Sequence, residues 1–457
     1  MATTSPDGSL LTQTIDRPLW RTMGWLVVFL LPLFGRVWLI GETPALYSWD
    51  AFTRLWDTDA FIVRHWLPLP QTPVFVLANL GFEVMDIRLV YAVVGAGAAT
   101  VFGLAISRIA GTAAGLATAL LASSLPIFVK FSIVPYQEGF ALLFLATALL
   151  ALHDWEAQGA WLSALVAAAA LACGVLCRYE LWGFCGLLCL GFLARRRWRG
   201  CLVLVPAVIA GLVWMATAGL RETPSPITSE ITRYEIGEFL VRGLESSWGA
   251  VRQLAADVLW PNLLLAVLGA VVAFRRGGRL GREFLFFWLA LIGMVVARDI
   301  NVNGITDRMT LLPSLISVAY VAIGVDYLAK LLLRHSQSLV LLVLAAAVAA
   351  QFSFDGYRAS VGKSRYSLPE LEASQLMLGI VAANIDGQHV IVIPRRIPNK
   401  YGEDPIKSIF AHSTRLDPRD DRWIWGRKRI AEEGHKADLV VRWDRKSQGY
   451  VLLSADE

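Results

Sequence analysis

WLSALVAAAALACGVLCRYELWGFCGLLCLGFLARRRWRG, Trp161 to Gly200, decides the fold. Two apolar runs, near 160–177 and 181–194, meet at one tight polar turn, Arg178-Tyr179-Glu180, and end in a basic run. Runs of this length and apolarity read as helices that cross a bilayer. Arg-rich turns between such helices belong on the cytoplasmic side. The Ala194–Gly200 run, ARRRWRG, is therefore placed inside, and Arg178, Tyr179 and Glu180 outside.

The same reading extends along the chain. Further runs fall near 24–41, 89–107, 111–129, 139–152, 201–219, 259–274, 284–297, 309–329 and 338–352, making about eleven transmembrane helices. Of the 457 residues, 56% are hydrophobic and 17% charged, which is too apolar for a soluble chain of this size. The net charge of +5 sits in short basic loops, so membrane topology explains it and nucleic acid is not implied. The N-terminus is polar up to Arg21 and no small-residue cleavage site follows, which predicts an uncleaved anchor. All five cysteines lie between 173 and 201 in apolar stretches without histidine, and read as small packing residues.

Alternating the spans from a cytoplasmic N-terminus also puts Arg108, Phe274–Arg282 and Lys330/Arg334 inside. The outer segments are then 42–88, 130–138, the turn at 178–180, 220–257, 298–308 and the tail after 353. Nearly every ionisable residue close to an apolar span falls on this outer side, including Asp50, Lys130, Glu138, Arg178, Glu180, Arg298, Asp299, Asp307 and Arg308. Charges at such depth are costly and commonly line cavities. The expected site opens outward and is built from several helix ends.

The first outer loop carries SWDAFTRLWDTDAF, Ser48 to Phe61. Asp50, Arg54 and Asp57 are spaced i, i+4, i+7 and share one face of a helix. Trp49, Phe52 and Trp56 suit the membrane surface. Transfer of a sugar from a lipid phosphate needs a base for the acceptor's proton, and Asp50 is the candidate. Arg178, Arg298 and Arg308 are candidate cations for the donor phosphate. Asp57-Thr58-Asp59 matches the D-x-D spacing of metal-dependent sugar transferases, which makes Asp57 and Asp59 candidate ligands for a divalent metal, Mg or Mn. On a helix the two carboxylates would not share a face, which counts against that set. No other cofactor is implied. Glu138 opens the span near 139–152, where the helix dipole alone favours an anion. WLPLPQ, Trp66 to Gln71, reads as an extended, proline-bounded piece that seats the loop on the membrane surface.

After residue 352 the composition turns polar. Ser367–Ile385 reads as an amphipathic helix capped by Ser367, and His389–Pro394, Asp438–Trp443 and Tyr450–Ser454 read as short strands. Residues 353–457 are thus expected to form a small extracytoplasmic α/β domain behind a membrane module of residues 1–352.

Together these motifs resemble the GT-C membrane glycosyltransferases: an acidic first outer loop, a Trp-Leu-Pro-Leu element, an outward Glu at the fourth span and an Arg-Tyr-Glu turn. Bacterial relatives of the dolichyl-phosphate-mannose protein mannosyltransferases and the lipid A aminoarabinose transferases are the nearest in pattern, over roughly residues 20–330. The resemblance implies a polyprenyl-phosphate-linked sugar as donor, a glycan, lipid or protein acceptor, inversion at the anomeric carbon, and a multi-pass home in the cytoplasmic membrane of a bacterium. It assigns Asp50 as base; Glu138, Arg178, Tyr179 and Glu180 as the donor cavity lining; and Arg308, in DRMTLLP, as the arginine facing the lipid phosphate. Arg54 and Asp57, which share the Asp50 face of the first outer loop, are further candidates for binding the donor. The adjacent acidic pair usual in the first loop is missing, since Trp49 and Ala51 flank Asp50. Either Asp50 acts alone, or Asp57 or Asp59 supplies the second carboxylate. A secondary transporter or flippase would be expected to show half-chain repeats and mid-span charges, and a cell-envelope scaffold would not need Asp50 and Arg178.

Overall fold

A computed structural model describes residues 18–42 and 67–332 apart from 83, 220–235, 259, 277 and 303–306, together with Ala345, Ala349 and four strands near the C-terminus. Asp50, Arg54, Asp57 and Asp59 lie outside the described residues, as do the helix expected at 367–385 and nearly all of the span expected at 338–352.

The described part of the first 332 residues is helical: α1 (Pro18–Glu42), α2 (Thr72–Asn79), α3 (Val84–Ala110), α4 (Thr112–Ser124), α5 (Pro126–Ser132), α6 (Glu138–Gln158), α7 (Trp161–Val175), α8 (Glu180–Ala194), α9 (Trp198–Gly219), α10 (Ile236–Val258), α11 (Trp260–Arg276), α12 (Gly278–Val302) and α13 (Asp307–Leu332). Helices satisfy their own backbone groups, which lipid cannot do for them. Five helices among the described residues are long and apolar enough to span a membrane: those at Thr22–Gly41, Met85–Ala110, Glu138–Gln158, Trp198–Thr217 and Arg308–Leu331. The number rises to seven if α4 with α5 and α10 with α11 each count as one broken span. The expected eleven also counted α7 and α8, which are apolar but only 15 residues each. Besides the span near 338–352, it further counted α12, whose first turns carry Arg279, Arg282 and Glu283.

The α13 span is the innermost, with 83% of its apolar window buried, against 22% for the peripheral α1. It packs on α11 and α4; α3 packs on α1, α4 and α6; α7 joins α6 to α9. Glycines permit the closest crossings. A methyl group at Gly269 of α11 would collide with the Tyr320 carbonyl of α13, and one at Gly324 with the Leu265 carbonyl. In membranes small residues allow this approach between backbones.

Three local features depart from expectation. Leu69–Gln71 is a 3-10 turn, not an extended piece, and it is buried against the bundle. There Leu69 N donates to Leu176 O at 3.3 Å and Tyr91 donates its hydroxyl to Pro70 O. Residues 220–257, expected as an outer segment, contain most of α10, a strongly two-faced helix. The run near 111–129 bends by 66° between α4 and α5. At the bend Leu125 is extended (φ −60°, ψ 116°), the conformation a following proline favours, and Pro126 opens α5.

The four strands are β1 (Val390–Ile393), β2 (Trp423–Trp425), β3 (Leu439–Asp444) and β4 (Gly449–Ser454), in spatial order β2-β1-β3-β4. The expected strands fall on β1, β3 and β4. Strand β1 runs parallel to β2 and β3, with Val390 opposite Trp423 and Leu439. Strands β3 and β4 are antiparallel, with Val441 opposite Leu452. All five cysteines are free thiols, Cys177 and Cys185 buried.

Candidate functional site

One end of the bundle gathers the C-terminus of α7, the start of α8, the start of α6 and the start of α13. The chain turns within Leu176–Tyr179, where Arg178 N donates to Gly174 O at 3.1 Å and closes α7. Glu180 then opens α8, and Glu138 opens α6. Carboxylates suit these positions because the first turn of a helix exposes unpaired N–H groups.

Arg178 connects all of them. Its Nε donates to Glu180 Oε2 at 3.0 Å and its Nη2 to Glu180 Oε1 at 2.5 Å, the two-pronged geometry of a guanidinium on a carboxylate. Its Nη1 donates to Glu138 Oε1 at 2.9 Å, and Nη2 also reaches the Arg308 carbonyl at 3.2 Å. Burial opposes the charge on Arg178, yet Glu180 and Glu138 together hold its protonation range above the ordinary one. It is a fixed cation.

Arg308 donates Nε to the same Glu138 Oε1 at 3.0 Å. Its guanidinium lies 4.6 Å from the centre of the Tyr136 ring, a cation–π contact. Glu138 is fully buried; its Oε2 has no partner among the described residues. The dipole of α6 alone does not account for it, since two arginines from distant parts of the chain converge on one of its oxygens. Arg178 is 6% exposed, whereas Arg308 and Glu180 are 26% and 25% exposed. Arg308 and Glu180 are therefore the groups of this network that an incoming ligand can touch.

Tyr179 is 45% exposed beside the network, and its hydroxyl accepts a 3.3 Å bond from Trp214 Nε1. Behind Arg308, Asp257 of α10 accepts bonds from Thr310 and Ser314 of α13 through Oδ2, both at 2.8 Å. Its Oδ1 accepts from Gln253 at 3.1 Å. These bonds tie the first turns of α13 to α10.

Of the residues singled out from sequence, Glu138, Arg178, Glu180 and Arg308 are brought into contact, with Tyr179 adjacent. Arg298 falls on α12, four residues before its end. Sequence reasoning missed Tyr136, Asp257, and two buried arginines, Arg36 and Arg88. The arginines were legible in principle, because each interrupts or borders an apolar run. Among the described residues no cluster of three or more His, Cys, Asp or Glu is placed to hold a metal.

No family model matches this chain, and no curated protein matches it in sequence. Solved structures do match its shape. ArnT from Cupriavidus metallidurans in the apo state superposes with a TM-score of 0.59 at 14% identity, over 93% of this chain and 94% of that one. The chain therefore shares the fold of ArnT. The undecaprenyl-phosphate-bound form of ArnT gives a TM-score of 0.58 with the same coverage and identity. The likeness in fold extends to the archaeal oligosaccharyltransferase AglB from Archaeoglobus fulgidus, solved with an inhibitory peptide and a dolichol-phosphate. That structure matches at 12% identity with a TM-score of 0.51, over 93% of this chain and 70% of its own.

Proposed function

We propose that this chain is an integral-membrane glycosyltransferase that moves a sugar from a polyprenyl-phosphate donor to an extracytoplasmic acceptor. The observation that carries the reading is the Glu138–Arg178–Glu180–Arg308 network at one end of a GT-C bundle. It offers a partly exposed guanidinium, Arg308, held in place by buried partners. The similarity in fold to ArnT bound to undecaprenyl phosphate and to AglB bound to a dolichol-phosphate supports the donor class.

In this reading Arg308 meets the lipid phosphate. Arg178, spent on Glu180 and Glu138, holds the carboxylates in position. Glu180 and Tyr179 face the sugar, and Arg298, Arg54 and Asp57 flank the cavity. Asp50 removes the proton of the acceptor hydroxyl or amine as it attacks the anomeric carbon. The phosphate leaves without needing a proton, and a single displacement inverts that carbon. A divalent cation, where one is used, would sit on Asp57 and Asp59. The N-terminus faces the cytoplasm, and residues 353–457 form an outer domain that positions the acceptor.

The test is transfer from a set of radiolabelled polyprenyl-phosphate sugars by purified protein, wild type beside Asp50→Asn, with and without chelator. Transfer by the wild type that disappears in a folded Asp50→Asn protein is expected. Full activity in that variant would remove Asp50 from the mechanism, and loss of activity with chelator alone would establish the metal.

A further inference from the structure

Two arginines buried inside the bundle make no part of the network, yet both grip the same point of the chain. Arg36 of α1 is 1% exposed and Arg88 of α3 fully buried. Arg36 Nε donates to Ser132 Oγ at 2.7 Å, and Arg88 Nε donates to Ile133 O at 2.9 Å. Ser132 ends α5, and Ile133 begins the connection that runs to Glu138. That connection is neither helix nor strand, and Ile133, Val134 and Tyr136 in it are all buried. Buried irregular backbone needs partners from side chains. Arg88 supplies one at Ile133.

Arg36 has no carboxylate partner among the described residues. Its other contacts there are the Pro32 carbonyl at 3.3 Å and the Phe128 ring at 5.4 Å, and its Nη2 has no partner among the described residues. A buried guanidinium so poorly compensated is costly in a membrane protein, and such residues mark function more often than stability. Gly95 of α3 completes the arrangement. A Cβ there would collide with Ser132 and stand 3.3 Å from Arg36 Nε, while the Gly139 Cβ position lies 3.6 Å from Gly95 Cα. Gly95 thus touches both ends of the connection, Ser132 before it and Gly139 after it.

We infer that Arg36 and Arg88 are positioning residues for the lipid-phosphate site. They set the path of Ser132–Gln137 and thereby the placement of Tyr136 under Arg308 and of Glu138 against its Nε. This rests on reading the Glu138–Arg308 network as the place where the donor phosphate binds. A small displacement of binding groups is enough to lose large factors in affinity or rate.

The experiment measures the Kd for undecaprenyl phosphate and the unfolding temperature of the purified full-length protein. Three variants disturb the grip by different physics. Arg36→Lys keeps the charge and loses the fork, Ser132→Ala removes the acceptor and leaves Arg36 in place, and Gly95→Ala pushes Ser132 away. Phe192→Leu, a buried change near the far end of α8, reports on lost packing alone, and Arg308→Ala reports on the site itself. The expected result is a Kd raised about fivefold or more in all three grip variants. Phe192→Leu should lower the unfolding temperature and leave Kd alone. Were Arg308→Ala to weaken binding while the grip variants lost only stability or nothing, this inference would be overturned and the donor-site reading would stand. Wild-type protein that fails to bind undecaprenyl phosphate, or an unchanged Kd in Arg308→Ala, would overturn the donor-site reading and this inference with it.

Discussion

Arg308 and Glu138, 170 positions apart in the chain, are joined by a 3.0 Å bond from Nε to an oxygen that Arg178 also holds. One carboxylate oxygen thus fastens α6 to both α13 and the α7–α8 turn. Removing it with Glu138→Ala leaves Arg178 buried with half its anionic partners. Breaking a buried pair from one side costs about 3–5 kcal/mol. The expected outcome is a marked drop in unfolding temperature in detergent, with Glu138→Gln losing less because an amide oxygen still accepts.

Arg308→Lys keeps a charge but loses the planar fork that can hold Glu138 and a phosphate together. Donor KM should rise about tenfold or more, with a smaller change in unfolding temperature than Arg178→Lys produces. Steady-state kinetics on both variants separates the two arginines. Equal stability losses would contradict the difference in their burial.

Asp257→Ala frees the Thr310 and Ser314 hydroxyls that anchor the first turns of α13. Unmaking buried hydrogen bonds of this kind costs about 1–3 kcal/mol. Donor KM should rise as well, because Arg308 sits two residues before Thr310. A double-mutant cycle with Arg308→Lys should be non-additive, and simple additivity would mean that Asp257 holds the helix without influencing the arginine.

Tyr179→Phe removes the acceptor of a long bond from Trp214 on a side chain that is 45% exposed. Stability should change by less than about 1 kcal/mol. Any loss of transfer well beyond that, seen in the donor KM, would count for contact between this hydroxyl and the sugar.

Helices built from unbroken apolar runs were legible because their signal is local: length, hydropathy and a basic turn. The Arg178-Tyr179-Glu180 turn and Glu138 at the head of α6 were legible for the same reason. The network itself was not. Nothing in the sequence says that Arg178 pairs with Glu138 rather than with lipid headgroups, since that depends on how α6, α7 and α13 pack. Helix α10 escaped because its polar and apolar residues alternate in helical period and average to a loop-like hydropathy. Arg36 escaped for the opposite reason, as a single charge diluted by the apolar residues around it. The turn at Leu69–Gln71 was misread because two prolines permit either an extended or a 3-10 path, and burial against Leu176 and Tyr91 selects the second.

The glycine contact between α11 and α13 has a mechanical consequence. With the backbones in close approach at Gly269 and Gly324, sliding or rolling of one helix past the other meets a steric barrier at that crossing. Arg308 stands at the opposite end of α13 from that crossing. Swinging the long side chain parts it from Glu138 without disturbing the crossing, whereas shifting the α13 axis as a whole works against it.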